Sequence, residues 1–123
     1  MKLFIILSAL VAIIIAEDIA YYTTDNDYVD IDTVMKNPLL VKIMIDCFVD
    51  RAPCDPVCQT YKKHMLEGVP TACRRCNDQQ KHLLNRFLST LKEYYPQYYS
   101  DYEKKYDPYY IYLPRLEKAV AEY

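Results

Sequence analysis

The sequence predicts an all-α domain of six short helices. Three features carry that expectation. Glycine is nearly absent: average usage would place roughly nine in a chain of this length, and Gly68 stands alone. Compact β-architectures need glycine for tight hairpin turns and bulges, so a sandwich or barrel is not expected. A glycine-rich phosphate loop is excluded on the same ground. Apolar residues make up 52% of 123 residues, too many for a disordered chain and enough chain for one domain. Finally, apolar side chains recur at three- and four-residue steps between helix start signals.

The first sixteen residues, MKLFIILSALVAIIIA, read as a secretory signal peptide. Lys2 supplies the positive end, Leu3 to Ile15 an almost unbroken hydrocarbon run, and Ala16 a small residue before the acidic Glu17 and Asp18. The run is too short for a bilayer, which needs about 20 apolar residues. Cleavage after Ala16 would release a soluble extracellular product. Residues 17–29 (EDIAYYTTDNDYV) are polar and short of helix formers, so an extended arm is expected there, ahead of a helical domain over 30–123.

Asp30 or Asp32 can cap a first short helix through Lys36. Asn37-Pro38 joins a capping side chain to proline at the first helical position, a start signal for a second helix. Its Lys42 and Asp46 lie four apart and mark the solvent side, with Leu40, Met44 and Phe48 expected opposite. Asp55-Pro56 repeats the signal, and Val57, Tyr61 and Met65 follow at four-residue spacing until Gly68 and Pro70 end the helix. Asn77 with Gln80 forms a capping box for the fourth helix. Leu84, Phe87, Leu88 and Leu91 then sit at i, i+3, i+4, i+7, one buried stripe. Pro96 opens a fifth helix with Tyr99, Tyr102 and Tyr106 on one face. A last helix near Pro114–Glu122 carries Leu116 and Val120.

In a secreted chain, cysteines are disulfide candidates before they are metal ligands. There are five, an odd number: Cys47, Cys54, Cys58, Cys73 and Cys76. Without Cys58 they read C-x6-C-x18-C-x2-C. A bridge between Cys47 and Cys54 would clamp the corner between two helices, and Cys73 and Cys76 flank the next junction. Cys54-x3-Cys58-x14-Cys73-x2-Cys76 also fits four-cysteine zinc spacing. That arrangement strands Cys47 and needs thiolates in an oxidising compartment. A redox pair at Cys73-x2-Cys76 lacks the βαβ setting it requires. Cys58 is left as an inert half-buried thiol or a bridge to a second molecule.

The cysteine spacing is accompanied by YTT at Tyr22–Thr24, Leu39-Leu40, KKH at Lys62–His64, Gln80-Lys81 after Cys76, and KYDP at Lys105–Pro108. With these words the chain resembles the insect chemosensory proteins, the OS-D-like group related to ejaculatory-bulb proteins. The resemblance spans essentially all of the chain after the signal peptide. It implies six helices around an apolar channel, Cys47–Cys54 and Cys73–Cys76 disulfides, and binding of long-chain hydrophobic semiochemicals. Departures are Cys58 where the family usually has glycine, and Tyr99 where it usually has tryptophan. The tyrosine of the family's KYDN word falls on Asn26, and the glycine that normally follows KYDP is missing. These changes bear on ligand preference more than on fold.

Helix faces and family position together nominate ligand-lining residues: Leu40 and Met44 on the second helix, and Tyr61 and Met65 on the third. The fourth contributes Leu84, Phe87, Leu88 and Leu91, the fifth Tyr99 and the last Leu116. Each is equally compatible with ordinary core. The expected activity is that of a secreted carrier for odorants, pheromones, or fatty alcohols, esters and acids, with no cofactor or metal. The alternative is a non-sensory member acting in development, cuticle or reproductive secretion, structural through its tyrosine-rich C-terminal part. Fourteen tyrosines feed that alternative, many within YYPQYYSDYEKKYDPYYIY. His64 and His82 lie beside lysines on what reads as a solvated face, and no Ser-His-Asp set or carboxylate pair accompanies them, so no catalysis is expected. With a net charge of −2 and no basic run, nucleic-acid binding is not expected. Partners are therefore small hydrophobic ligands, without stable membrane insertion, and the chain is monomeric unless Cys58 links two copies.

Overall fold

The computed structural model describes residues 27–123. The signal peptide and most of the N-terminal arm lie outside the described residues. Six helices follow in order: α1 (Ile31–Met35), α2 (Pro38–Phe48), α3 (Pro56–Gly68), α4 (Asp78–Tyr94), α5 (Pro96–Tyr106) and α6 (Tyr112–Val120).

Four helix starts are set by one short polar side chain each. Asp30 accepts from the Thr33 amide, Asn37 from the Leu39 and Leu40 amides, and Asp55 from the Cys58 amide. At α4 the capping box is complete: the Asn77 side chain accepts from the Gln80 amide at 2.8 Å, and the Gln80 side chain accepts from the Asn77 amide at 3.0 Å. The last helix differs from expectation, beginning at Tyr112, two residues ahead of Pro114. The reason lies upstream. The buried Asp107 carboxylate accepts from the amides of Ile111, Tyr112 and Leu113 at 2.8, 2.9 and 2.9 Å. Pro114 falls within the first turn, where its missing N–H costs nothing.

Helix α4 is the spine, touching α1, α5 and α6, while α2 leans on α1, α3 and α5. Arg86 to Asp32 at 2.8 Å and the Tyr95 hydroxyl to the Met35 carbonyl at 3.1 Å fasten α1 along it. The Lys92–Glu117 pair at 3.0 Å lays α6 against its C-terminal half. Phe48, Phe87, Tyr102 and Tyr106 form a continuous aromatic core with centroids 5.8, 5.5 and 4.6 Å apart.

Two disulfides, Cys47–Cys54 and Cys73–Cys76, close the α2–α3 and α3–α4 corners as the family resemblance implies. The pairing takes three of the four cysteines that a zinc site would need. Positive φ falls at Asp50, Ala72, Cys73 and Tyr110 (65°, 53°, 61° and 58°), and not at Gly68. The consecutive left-handed residues Ala72 and Cys73 turn the chain back so that the Cys73 amide donates to the Gly68 carbonyl at 2.8 Å.

Candidate functional site

An apolar pocket of about 80 Å³ lies between α1, α2, α3 and the first half of α4, half open to solvent. Met44 and Phe48 of α2 form one wall, with Tyr61, His64 and Met65 of α3 facing them. Leu83, Leu84 and Phe87 of α4 form the floor, and Val29 and Ile31 close the N-terminal side. Asp27, Gln80 and the Cys76 side chain complete the lining.

Of the residues nominated from sequence, the fold brings together Met44, Tyr61, Met65, Leu84 and Phe87. The other five lie elsewhere. Leu40 is 41% exposed, because α2 buries Val41, Ile45 and Phe48 and carries Leu40 past the edge of the contact. The Lys42–Asp46 pair at 2.7 Å does mark the solvent side. With almost every other position apolar, that mark leaves the inward face uncertain by about one residue. Leu88, Leu91 and Leu116 are solid core. The α4 stripe divides along its length: Leu84 and Phe87 line space, and Leu88 and Leu91 are buried core. Tyr99 sits between α5 and α6, its hydroxyl donating to Glu117 at 2.9 Å.

Sequence reasoning missed Asp27, Val29, Ile31, Phe48, His64, Cys76, Gln80 and Leu83 as lining residues. For His64 the signal existed, since Tyr61, His64 and Met65 stand at i, i+3, i+4; the expected solvated face gives way to the pocket wall. For Asp27 there was none. Only residues 27–29 of the expected arm are described; Tyr28 and Val29 are exposed, and Asp27 is buried, at 6% exposure. Its two oxygens accept from the side-chain amides of Gln80 and Asn77, each at 3.0 Å.

Burial lowers the His64 pKa against the opposing pull of Asp27, and keeps the imidazole neutral at pH 7. Burial, then the Asp27 charge, pushes Tyr61 up to about 12, so its hydroxyl stays protonated. Cys58 is unbridged and buried in the first turn of α3; desolvation, then Asp55, raises its thiol to about 11. Among the described residues no group of three or more His, Cys, Asp or Glu could hold a metal ion. No described helix is long and apolar enough to cross a membrane.

A model of the insect pheromone-binding family A10/OS-D matches residues 22–113. The chain belongs to this family. The A10/OS-D chain is 31% identical over 123 residues to ejaculatory bulb-specific protein 3 of Drosophila melanogaster, covering 99% of this chain and 95% of that protein. It is 26% identical over 117 residues to allergen Tha p 1 of Thaumetopoea pityocampa, covering 95% and 93%. A solved chemosensory protein in complex with bromo-dodecanol has the same fold, with a TM-score of 0.72 at 23% identity over 79% of this chain and 97% of that one.

Proposed function

We propose that this protein is a secreted carrier for long-chain aliphatic molecules, with the space between α1, α2, α3 and α4 as its binding site. One observation supports this above others: an almost wholly apolar pocket stands open beside a solid aromatic core. A water occupies roughly 10–15 Å³ of such space, so the pocket admits several small groups, the end of an alkyl chain. A longer chain extends into the half-open mouth or displaces Met44 and Met65, whose thioethers repack at low cost. Each methylene removed from water gains about 0.8 kcal/mol. A fully covered dodecyl chain therefore gains roughly 10 kcal/mol gross, several of which are lost to immobilisation, leaving micromolar affinity. The structural relative was solved with bromo-dodecanol, a ligand of that length. A sensory setting, the transport of odorants or pheromones, is the role we assign to this carrier.

The test is displacement of a fluorescent apolar probe by C12–C18 alcohols and esters. Saturable displacement is expected. Leu84→Trp, which fills the pocket from a half-buried position, should weaken it at least tenfold while the helical circular dichroism persists. No displacement across that range by the unaltered protein would end the carrier reading. Secretion is checked separately by sequencing the exported product, which should begin at Glu17.

A further inference from the structure

The pocket has one charged corner, and its construction bears on which head groups can enter. Asn77 and Gln80 form the capping box of α4, and that box decides how their amides are turned. The Asn77 side-chain oxygen is held by the Gln80 amide, and the Gln80 side-chain oxygen by the Asn77 amide. Both NH₂ groups are thereby left to donate elsewhere, and both donate to Asp27, one to each carboxylate oxygen. The carboxylate is buried, lines the pocket, and is held at the positive end of a helix of 17 residues. Neither partner carries a charge, and no lysine or arginine of the described residues forms an ion pair with it. A carboxylate offers about four lone-pair positions; the two amides use two of them. His64, the ionisable base in the lining, is neutral at pH 7 and does not offset the negative charge.

From this geometry we infer that Asp27 is a head-group acceptor, selecting hydrogen-bond-donating ligands, long-chain alcohols and protonated amines, and rejecting fatty-acid carboxylates. An alcohol O–H or an ammonium N–H donates to a spare lone pair on the Asp27 carboxylate. A fatty-acid carboxylate brings a second negative charge to a water-poor corner and has no proton to donate. The inference rests on the carrier reading and narrows its ligand class.

The experiment is probe competition at pH 7 with 1-dodecanol, dodecylamine and sodium dodecanoate, all below their micellar concentrations. On the unaltered protein, dodecanol and dodecylamine should bind at least tenfold more tightly than dodecanoate. In Asp27→Asn, dodecanoate should tighten at least fivefold and dodecylamine weaken by a similar factor. Dodecanoate equal to dodecanol on the unaltered protein overturns the inference, whether or not the variant folds. So does a folded Asp27→Asn that keeps the original ranking. If none of the three displaces the probe, the carrier reading fails with it; if all three bind equally, only the head-group selection fails.

Discussion

Tyr102 and Tyr106 stand one turn apart on α5, both buried, yet their hydroxyls differ. The Tyr106 O–H donates to the Phe48 carbonyl at 2.7 Å, whereas the Tyr102 hydroxyl finds no partner among the described residues. A buried polar group without a partner costs about 1–3 kcal/mol, and a satisfied bond contributes about 1 kcal/mol net. Tyr102→Phe should therefore leave stability unchanged or raise it, and Tyr106→Phe should lower it by about 1 kcal/mol in urea unfolding. Equal losses would refute the assignment. Cys58 makes a related point about reactivity. It is 7% exposed and its thiol is pushed up to about 11, so little thiolate exists at pH 8. A disulfide reagent should modify it more than about 100-fold more slowly in the native protein than in urea. A native-state rate matching that of a free thiol would mean that Cys58 is open to a partner molecule.

Helix α6 depends on a residue outside it. Asp107 serves three amides of its first turn, in place of a capping side chain at Ile111, where none is present. Asp107→Ala should destabilise the fold by about 2–3 kcal/mol, because the buried Leu113 amide and two part-buried ones lose their acceptor. Asp107→Asn keeps one acceptor oxygen and should lose less. The α3–α4 corner is governed by backbone conformation. Ala72 holds a φ of 53°, a region that costs L-residues energy and glycine none. Ala72→Gly should stabilise by up to about 1 kcal/mol, less the extra entropy that glycine gives the unfolded chain. A clear loss of stability there would show that the corner relies on the alanine side chain.

For the molecule as a whole, acid is the condition that loosens it. Burial pushes the Asp107 carboxyl up, but the three backbone donors outweigh that and hold it below the usual aspartate range. A carboxylate whose folded pKa is depressed gives stability that is complete above about pH 4 and is lost as pH falls through the folded value. Asp50, held at about 2 by Lys105 and then Lys62, has the same sign, though its exposure lets solvent and salt screen it. The melting temperature should begin to ease below about pH 6.5, where the unfolded chain takes up a proton that half-buried His64 resists, and fall further from about pH 4 downward. Asp107→Asn, lower at neutral pH, should show a shallower acid decline; parallel curves would remove Asp107 from the explanation.

Helix starts were legible from the chain because their causes are local, whereas the cysteine pairing came from the family resemblance. Asp30, Asn37, Asp55 and Asn77 each cap amides no more than three residues ahead. The start of α6 was less so, since its acceptor lies four to six residues upstream across a turn. Periodicity told which stripe of α4 faces inward. Whether the inward space is filled depends on what the neighbouring helices bring: Leu88 and Leu91 are fully buried, while Leu84 borders a pocket with Met44 and Met65. Asp27 is the extreme case, placed by residues 50 and 53 positions away. Local pattern thus specified the helices, the family resemblance implied how their corners are bridged, and contacts between distant segments settled where the bundle is hollow and which charge faces the hollow.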